Sequence, residues 1–263
     1  MKVLVCIKQV PGTTDIKIDP RTNTLIREGI ENIINPFDSY ALEEGARLKE
    51  NQDFITQCMA LTMGPPQAAQ ILKDAISLGM DEAVLLSDRD FAGADTWATA
   101  QTLAAAAKKI GDVALTVFGK QTLDGDTGQV GPEYAQTLGI PFVGYVSHIV
   151  DINKTRVRLK RLMEDRYETV EVNLPAAISV LKEINEPRVP SLRGKMKANK
   201  ARIPVWDREH LGLSPEQVGL SGSYTQVVKV FIPQAQHEVM MLEGSPQEQV
   251  EKLFEKLKTL NRI

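Results

Sequence analysis

Short, continuously apolar runs alternate with longer amphipathic stretches over the first half of the chain. Each apolar run is typical of a strand buried on both faces of a sheet, and each amphipathic stretch is typical of a helix with one wet face. The pattern predicts strands at 3–7, 55–62, 83–87, 113–118 and 142–146 and helices at 39–49, 67–78, 96–110 and 126–138, the last opening as a glycine-punctuated loop. Gly79, Gly111 and Gly139 directly follow three of these helices, where glycine often ends a helix.

This alternation predicts an α/β fold, a doubly wound and mostly parallel sheet with right-handed crossovers. Ligands of such sheets bind beyond the carboxyl ends of the strands, in the strand-to-helix loops. These loops are therefore where functional residues are expected.

The pattern changes after about residue 147. Residues 157–162 and 169–174 alternate apolar and polar positions, which favours an antiparallel pair, and 176–181 reads as a buried strand. The basic segment 186–203 is expected to be extended, because prolines and Gly194 oppose regular structure. A last amphipathic helix is predicted at 246–260, after a stretch without a strong period.

Charge and composition exclude several classes of function. The 263 residues carry 31 Lys and Arg against 34 Asp and Glu, a net charge of −3, which disfavours a globally basic nucleic-acid binder. Aromatic residues are only 5%, too few to suggest a stacking platform for single strands. No apolar run approaches the ~20 residues of a membrane span, so a cytoplasmic protein is expected. Cys6 and Cys58 have no CxxC spacing and are expected to be buried thiols.

Motifs that carry chemistry by themselves are missing from the sequence. It has no GxGxxG after the first strand, no GxxxxGK[ST] and no GxSxG. His148, His210 and His237 have no ligand spacing, so neither a metal site nor a catalytic side chain is predicted. Binding loops without a nucleophile are expected where a bound cofactor supplies the chemistry.

The strongest candidate loop is GKQTLDGDTGQVGPE, residues 119–133, between a strand and a helix. Gly125, Gly128 and Gly131 permit positive φ or close approach of the backbone. Thr127 and Gln129 offer neutral donors near a helix start, where free N–H groups favour phosphate. An ordinary Asp/Gly loop with a helix cap is the alternative, and spacing does not decide between the two.

Three further loops lie on the same predicted edge. In the loop before the helix at 96–110, Asp95 or Thr96 is either a helix cap, or Thr96 and Thr99 bind a phosphate or ribose. In INPFDSYALEE, Asn35 or Asp38 is either a cap or a contact to a nucleotide edge. In LTMGPPQA, Met63 and Gly64 end a strand before a tight turn. Their common edge strengthens the case for a ligand site.

These residues resemble the small (beta) subunit of electron-transferring flavoproteins over nearly the whole chain. The matching motifs are VLVCIKQVPGTTDIKID, the REG turn, NPFD before LEE, LTMGPPQA, GMDEAVLLSDR, GADTWAT, GKQTLDGDTGQVGP, LPAAISVLKEINEPR and a terminal LNRI. The resemblance implies a flavodoxin-like sheet and a heterodimer with an FAD-carrying alpha subunit. It implies that this chain binds either AMP or a second FAD.

GADTWAT and DGDTGQVGP resemble the electron-bifurcating group more than the AMP-binding one. In that group the FAD of the beta subunit takes a hydride from NADH. One electron goes to a low-potential acceptor, ferredoxin or flavodoxin, and one to the alpha-subunit flavin, which serves a dehydrogenase of acyl-CoA, lactate or caffeoyl-CoA type. Gly128 stands where the group's pattern has alanine, which loosens the helix start. A subunit with AMP as a structural ligand is the alternative, and a stress-type nucleotide module is a more distant one.

Carried over residue by residue, the resemblance implies one set of cofactor contacts. The expected cofactor-binding residues are Cys6, Asn35, Pro36, Phe37, Asp38, Met63, Gly64, Asp95, Thr96, Thr99, Asp124, Gly125, Asp126, Thr127, Gly128, Gln129, Val130 and Gly131.

The resemblance also divides the chain by role. Residues 1–185 are expected to form the flavin-binding α/β domain, 186–203 a basic loop that docks the dehydrogenase, and 204–263 an arm that packs on the alpha subunit. In the loop, Leu192 would be the apolar anchor, with Arg188, Arg193, Lys195 and Lys197 as a polar rim. The alternatives are a solvated charged loop, and a last helix that packs on its own domain.

Overall fold

The structure is a computed structural model that describes residues 1–12, 18–19, 24–25, 32–228, 239–260 and 262. The REG turn at 27–29 and His237 lie outside the described residues. The strands are β1 Lys2–Cys6, β2 Gln9–Pro11, β3 Ile18–Asp19, β4 Thr24–Leu25, β5 Asn32–Ile34, β6 Gln57–Met63, β7 Glu82–Leu86, β8 Val113–Gly119, β9 Phe142–Ile152, β10 Arg156–Leu162, β11 Tyr167–Asn173, β12 Ala176–Val180 and β13 Val205–Trp206. The α-helices are α1 Pro36–Asn51, α2 Ala69–Ser77, α3 Thr96–Ile110, α4 Val130–Leu138, α5 Leu192–Lys200, α6 Arg208–Leu211 and α7 Pro246–Thr259.

Among the described residues, nine strands form one sheet in the order β11-β10-β9-β12-β8-β1-β6-β7-β13. All neighbours from β9 to β13 are parallel, and β10 pairs antiparallel with β9 and β11. The predicted doubly wound α/β sheet with an antiparallel extension is therefore confirmed. Gly119 at the end of β8 pairs with Val180 at the end of β12, so the carboxyl ends of these strands form one edge.

Alternate residues of β1 point into two different cores, as a strand covered on both faces requires. Val3 and Val5 pack with residues of α1 and α2 on one face, and Leu4 and Cys6 pack with residues of α3 and α4 on the other. The continuous apolar run in the sequence reflects this double burial. Cys58 is also buried, and both thiols are free, as expected.

Helix ends agree with the capping residues in the sequence. Gly111 follows α3 with φ +66° and Gly139 follows α4 with φ +67°, and Gly79, one residue beyond the cap of α2, has φ +121°. Positive φ is easy only for glycine, so these residues stop the helices where the pattern ends.

The expectation of an extended segment at 186–203 is wrong, because Leu192–Lys200 form α5. Pro187 and Pro190 precede this helix and Pro204 follows the segment, and the side chain of Ser191 accepts the Gly194 N–H at 3.0 Å as the helix cap. Gly194 lies against the Ser77 carbonyl of α2, where a larger residue would not fit. A proline-flanked helix is thus held by its cap and its packing.

Strand β9 is longer than predicted and contains a bulge. Val143 pairs with Ile178 and Val146 with Val180, so Gly144 and Tyr145 lie opposite Ser179 alone. Beyond the bulge, β9 continues to Ile152 and pairs with β10.

Residues Met1–Val228 and Lys229–Ile263 form two compact units. The first contains the sheet, and the second contains α7, whose side chains Val250, Leu253 and Phe254 are exposed. The segments 186–203 and 204–228 both belong to the first unit, and the division by role at 185 and 203 stays a prediction. In the part of the chain that the structure describes, no helix has the length and apolar character needed to cross a bilayer.

Candidate functional site

The candidate site lies at the carboxyl edge of the parallel sheet, where β1, β6 and β8 end side by side. Lys8 follows β1, Met63 ends β6, and Gly119 opens the loop that leads to α4, termed the 119–133 loop below. This edge is where ligands of doubly wound sheets bind. The four loops singled out from the sequence therefore belong to one edge.

Asn35 is fully buried and holds the 119–133 loop to the start of α1. Its amide nitrogen donates to the Gln121 carbonyl at 2.9 Å, and its amide oxygen accepts the Leu123 N–H at 3.1 Å. It occupies the N-cap position of α1, but within the described residues its side chain caps no N–H there. Asn35 was expected to be either a helix cap or a nucleotide contact, and its side chain does not cap α1. Asn35 instead positions the loop.

Asp38 is buried in the first turn of α1 and links that helix to two strand ends. Its carboxylate accepts the Lys8 N–H at 2.7 Å and the Gly119 N–H. Burial raises the pKa of Asp38 to about 7, against the lowering effect of these hydrogen bonds and of Asn35. At neutral pH this carboxyl is therefore poised between its two protonation states.

Cys6 is buried beside Asp38, at the end of β1. Burial, with the charge of Asp38 as a smaller cause, raises the pKa of the Cys6 thiol far above its ordinary value. A protonated, buried thiol packs as a small apolar group and is not a nucleophile.

The N-termini of α3 and α4 meet across one side of the site. The Thr96 hydroxyl donates to Glu133 Oε1 at 3.1 Å and reaches Gln129 Oε1 at 3.5 Å. Burial raises the pKa of Glu133, opposed by the Thr96 hydrogen bond, and its Oε2 is buried with no partner among the described atoms. Free N–H groups at two helix starts favour an anion, and the open carboxylate oxygen calls for a donor.

Asp95 caps α3, the simpler of the two readings left open by the sequence. Its Oδ1 accepts the Ala98 N–H at 3.0 Å. Its Oδ2 accepts the N–H groups of Tyr224 and Thr225, each at 2.9 Å. Although burial raises the pKa of Asp95, these hydrogen bonds hold it below its ordinary value. Both oxygens of this carboxylate are thus bonded to groups of its own chain, and its expected role in binding a cofactor stays a prediction.

The 119–133 loop is exposed from Leu123 to Gln129 and is tied down at its base. Lys8 Nζ pairs with Asp124 at 2.8 Å, and the Gln121 side chain bonds to Asp126. Gly128 has φ +61°, a backbone that alanine would adopt at a cost of about 1 kcal/mol. A Cβ on Gly131 would lie 2.9 Å from the Phe142 ring, so this glycine allows close packing.

The remaining expected site residues lie at the same edge with less definite contacts. Thr99 follows Thr96 by one helical turn in α3 and shares its face. Pro36, Thr127 and Gly125 are exposed, whereas Phe37, Met63, Gly64 and Val130 are half-buried. Beside Met63, the buried Thr62 hydroxyl has no partner among the described residues.

The predicted docking residues differ in how their side chains are held. Arg188 is half-buried and bonds to Glu43 at 2.7 Å and to Glu50 at 2.6 Å. Leu192 is 78% exposed, and Arg193, Lys195 and Lys197 are exposed as well, although Lys197 donates to the Met80 carbonyl at 2.9 Å. The docking role of these five residues stays a prediction.

The sequence analysis missed several residues that the fold brings to this edge or to the docking segment. They are Lys8, Tyr145 and Ser179 at the edge, with exposed Val189 and Met196 near Leu192 in the chain. Lys120 and Glu133 belong to the 119–133 loop named from the sequence, but neither was singled out within it. The spacing of Leu192 and Met196, four residues apart, was the available signal for a shared helical face. Tyr145 left no signal, because its exposure depends on the bulge in β9.

The fold and its edge define a doubly wound α/β protein of the architecture that carries ligands in its strand-to-helix loops. The family model described as "Electron transfer flavoprotein domain" matches residues 22–211. The chain belongs to the electron transfer flavoprotein family.

Three relatives place the chain within the family. It is 48% identical to "Caffeyl-CoA reductase-Etf complex subunit CarD" of Acetobacterium woodii over 93% of each chain. It is 42% identical to "Electron transfer flavoprotein subunit beta" of Thermoanaerobacterium thermosaccharolyticum over the full length of both. It is 44% identical to "Protein FixA" of Azotobacter vinelandii over 89% of this chain and 84% of that one. The expected resemblance to the beta subunit is confirmed.

Proposed function

We propose that this chain is the beta subunit of an electron-bifurcating electron transfer flavoprotein and binds FAD at the carboxyl edge of its sheet. The proposal adds to the electron-transfer role of the family a cofactor, an electron donor and a reaction type. FAD held at this edge would supply the redox chemistry: acceptance of a hydride from NADH and division of its two electrons between a low-potential acceptor, ferredoxin or flavodoxin, and the FAD of an alpha subunit.

The observation that carries the proposal is the meeting of α3 and α4 at the Thr96–Glu133 contact. Two helix N-termini beside the 119–133 loop fit a pyrophosphate, which a dinucleotide has and AMP lacks. The partnerless Glu133 Oε2 fits a ribose or ribityl hydroxyl, because it needs a donor. The residues present therefore fit FAD.

The chain's own groups would hold the ligand in three ways. Gln129 and the N–H groups of Val130 and Gly131 would donate to phosphate oxygens, and Thr96 would do so by turning its single hydroxyl proton away from Glu133. Asn35 and Asp38 would keep the loop and the strand ends in position. Cys6 and Met63 would offer apolar contact and no proton transfer.

The family relatives support a multi-subunit assembly. The Acetobacterium woodii relative is named as a subunit of a caffeyl-CoA reductase-Etf complex. We therefore propose an alpha subunit and a flavin-dependent dehydrogenase, of acyl-CoA, lactate or caffeoyl-CoA type, as partners of this chain in the cytoplasm.

Within the chain, residues 1–185 would hold the flavin and 186–203 would dock the dehydrogenase. Exposed Leu192 supports a docking role, with Arg193 and Lys195 as its rim. Residues 204–263 would pack on the alpha subunit, a role supported by the exposed apolar face of α7. Arg188 and Lys197 would act by holding the segment in place.

One observation favours the alternative, in which AMP is a structural ligand and the chain holds no flavin. Asp95, one of the residues expected to distinguish the FAD-binding group, is bound by its own chain. A smaller ligand would not need its side chain.

Counting cofactors in the purified heterodimer tests the proposal. We expect two FAD and no AMP per heterodimer, and NADH should reduce the second flavin. Thr96→Ala should lower the occupancy of that flavin, whereas Thr56→Ala, at the opposite edge of the sheet, should not. One FAD and one AMP per heterodimer would refute the proposal.

A further inference from the structure

Tyr145 is a bulky residue in an unusual backbone conformation at the candidate edge. Its φ of +59° lies in the left-handed region, and its side chain is 49% exposed. A non-glycine residue is strained there, and such residues persist where the surrounding structure holds them. An exposed tyrosine in this conformation needs an explanation.

The bulge in β9 causes this conformation. Gly144 and Tyr145 together oppose Ser179 of β12, and the buried Ser179 hydroxyl accepts the Tyr145 N–H at 3.2 Å. A bulge turns a side chain away from the regular alternation of the strand, and bulges are common beside binding sites. Ser179 thus holds the backbone of Tyr145 in the bulge, which sets the direction of the tyrosine side chain.

The ring faces the 119–133 loop. Lys120 Nζ lies 5.8 Å from the centre of the Tyr145 ring, within the range of a cation–π interaction. Lys120 directly follows Gly119, which pairs with Val180 next to Ser179. Leu123 of the same loop is 48% exposed, so the loop itself also presents apolar surface. Near its carboxyl end the same loop contacts Thr96, whose hydroxyl lies 3.5 Å from Gln129 Oε1.

We infer that Tyr145, with Lys120, is a ligand-binding contact for a flat heteroaromatic ring of the nucleotide bound at this edge. The inference rests on the proposed function, since it takes a nucleotide ligand at the edge as given. Adenine and isoalloxazine share this chemistry, because both are flat π-systems that stack on an aromatic side chain. The bulge then serves to present the tyrosine ring to the ligand.

Four variants of the chain, purified with its alpha subunit, test the inference. Tyr145→Ala removes the ring, and Tyr145→Phe keeps it. Tyr145→Gly removes the ring but suits the positive φ, so its fold should be at least as stable as that of the wild type. Tyr167→Ala is the matched control, because Tyr167 is also exposed and lies under Lys160, at 4.3 Å, on β11.

FAD and AMP are titrated separately into cofactor-depleted heterodimer, and the heterodimer mass is measured in parallel. We expect Tyr145→Ala and Tyr145→Gly to weaken binding of a ligand about tenfold or more, with Tyr145→Phe and Tyr167→Ala near the wild type. Weakening for FAD alone identifies isoalloxazine as the ring, and weakening for both ligands identifies adenine.

Three results would overturn the inference. In one, Tyr145→Ala and Tyr145→Gly bind both ligands like the wild type. In another, Tyr145→Gly restores binding that Tyr145→Ala loses, so that the residue acts through the fold alone. In the third, both variants split the heterodimer, which would make Tyr145 a subunit contact. If the wild type binds AMP but no second FAD, the proposed function is refuted. The inference about Tyr145 is then tested by the AMP affinities of the Tyr145 variants.

Discussion

At the scale of single residues, the candidate edge is organised by buried polar groups rather than by exposed ones. Asn35 and Asp38 were expected as caps or nucleotide contacts. Both are buried; Asn35 bonds to the backbone of the 119–133 loop, and Asp38 bonds to backbone N–H groups at two strand ends. Burying such groups is tolerated because their hydrogen bonds are made inside the protein. These two buried residues therefore position the edge, and the exposed residues of the 119–133 loop remain accessible to a ligand.

The raised pKa of Asp38 predicts that the stability of the protein depends on pH. Its pKa is about 7 in the folded protein, above the ordinary value of 3.8, so the folded state binds the extra proton between these values. The stability that Asp38 contributes is full below pH 3.8 and is lost as pH rises through 7. The free energy of unfolding of the wild type, relative to Asp38→Asn, should fall by an amount on the order of 2 kcal/mol between pH 5 and 8.

Urea denaturation of both proteins across this pH range measures the difference, in which all other titrating groups cancel. Parallel curves for wild type and Asp38→Asn would contradict the prediction. Asp53→Asn, at an exposed turn before β6, provides a control that should leave the pH dependence unchanged.

At the scale of elements, α5 is a helix that the sequence pattern did not predict. Prolines and Gly194 predicted an extended segment, but the prolines only border the helix, and Gly194 is used for close contact with α2. A basic helix with little apolar face of its own depends on anchors. Arg188 supplies one, since it joins the segment to Glu43 and Glu50 of α1.

Arg188→Ala should therefore destabilise the protein, by about 1–3 kcal/mol in the free energy of unfolding. Glu43 is buried and would keep only Arg47 as a partner. Burial raises the pKa of Glu43, but its bonds to Arg188 and Arg47 hold it below the ordinary value, so the contribution is present at neutral pH and is lost as pH falls through that lowered pKa.

Arg193→Ala is the matched control, because Arg193 is an exposed arginine of the same segment. Its effect on unfolding should stay within about 0.5 kcal/mol. If urea denaturation gave equal changes in the free energy of unfolding for the two substitutions, the ion pairs of Arg188 would not stabilise the segment.

At the scale of the whole molecule, the buried apolar residues of the described chain run from Val3 to Val218, all within the first compact unit. The hydrophobic effect acts in proportion to buried apolar surface, so the stability of this unit resides in residues 1–228. The exposed apolar residues of α7 contribute no such burial in the isolated chain.

A chain that ends at Val228 should therefore unfold cooperatively, with a melting temperature within about 3 °C of the full-length value. A chain that ends at Ile203 should be less stable, since it loses β13, the buried Val218 and the hydrogen bonds to Asp95. Circular dichroism melts compare the three lengths. A broad, non-cooperative transition of the 1–228 chain would contradict the prediction.

Local pattern determined much of this protein. The double burial of strands such as β1, the glycines after α3 and α4, and the order of strands and helices follow from periods and caps that neighbouring residues set among themselves. The family was also readable, since its motifs lie in continuous stretches of the chain.

Contacts between distant residues were decided only by the tertiary structure. The Thr96–Glu133 contact, the link from Asn35 to the 119–133 loop, and the turning of Arg188 toward α1 join residues 37 to 145 positions apart. Tyr145 owes its exposure to a bulge that exists only where β9 pairs with β12. Such features depend on which strands and helices become neighbours, and no local period encodes that choice.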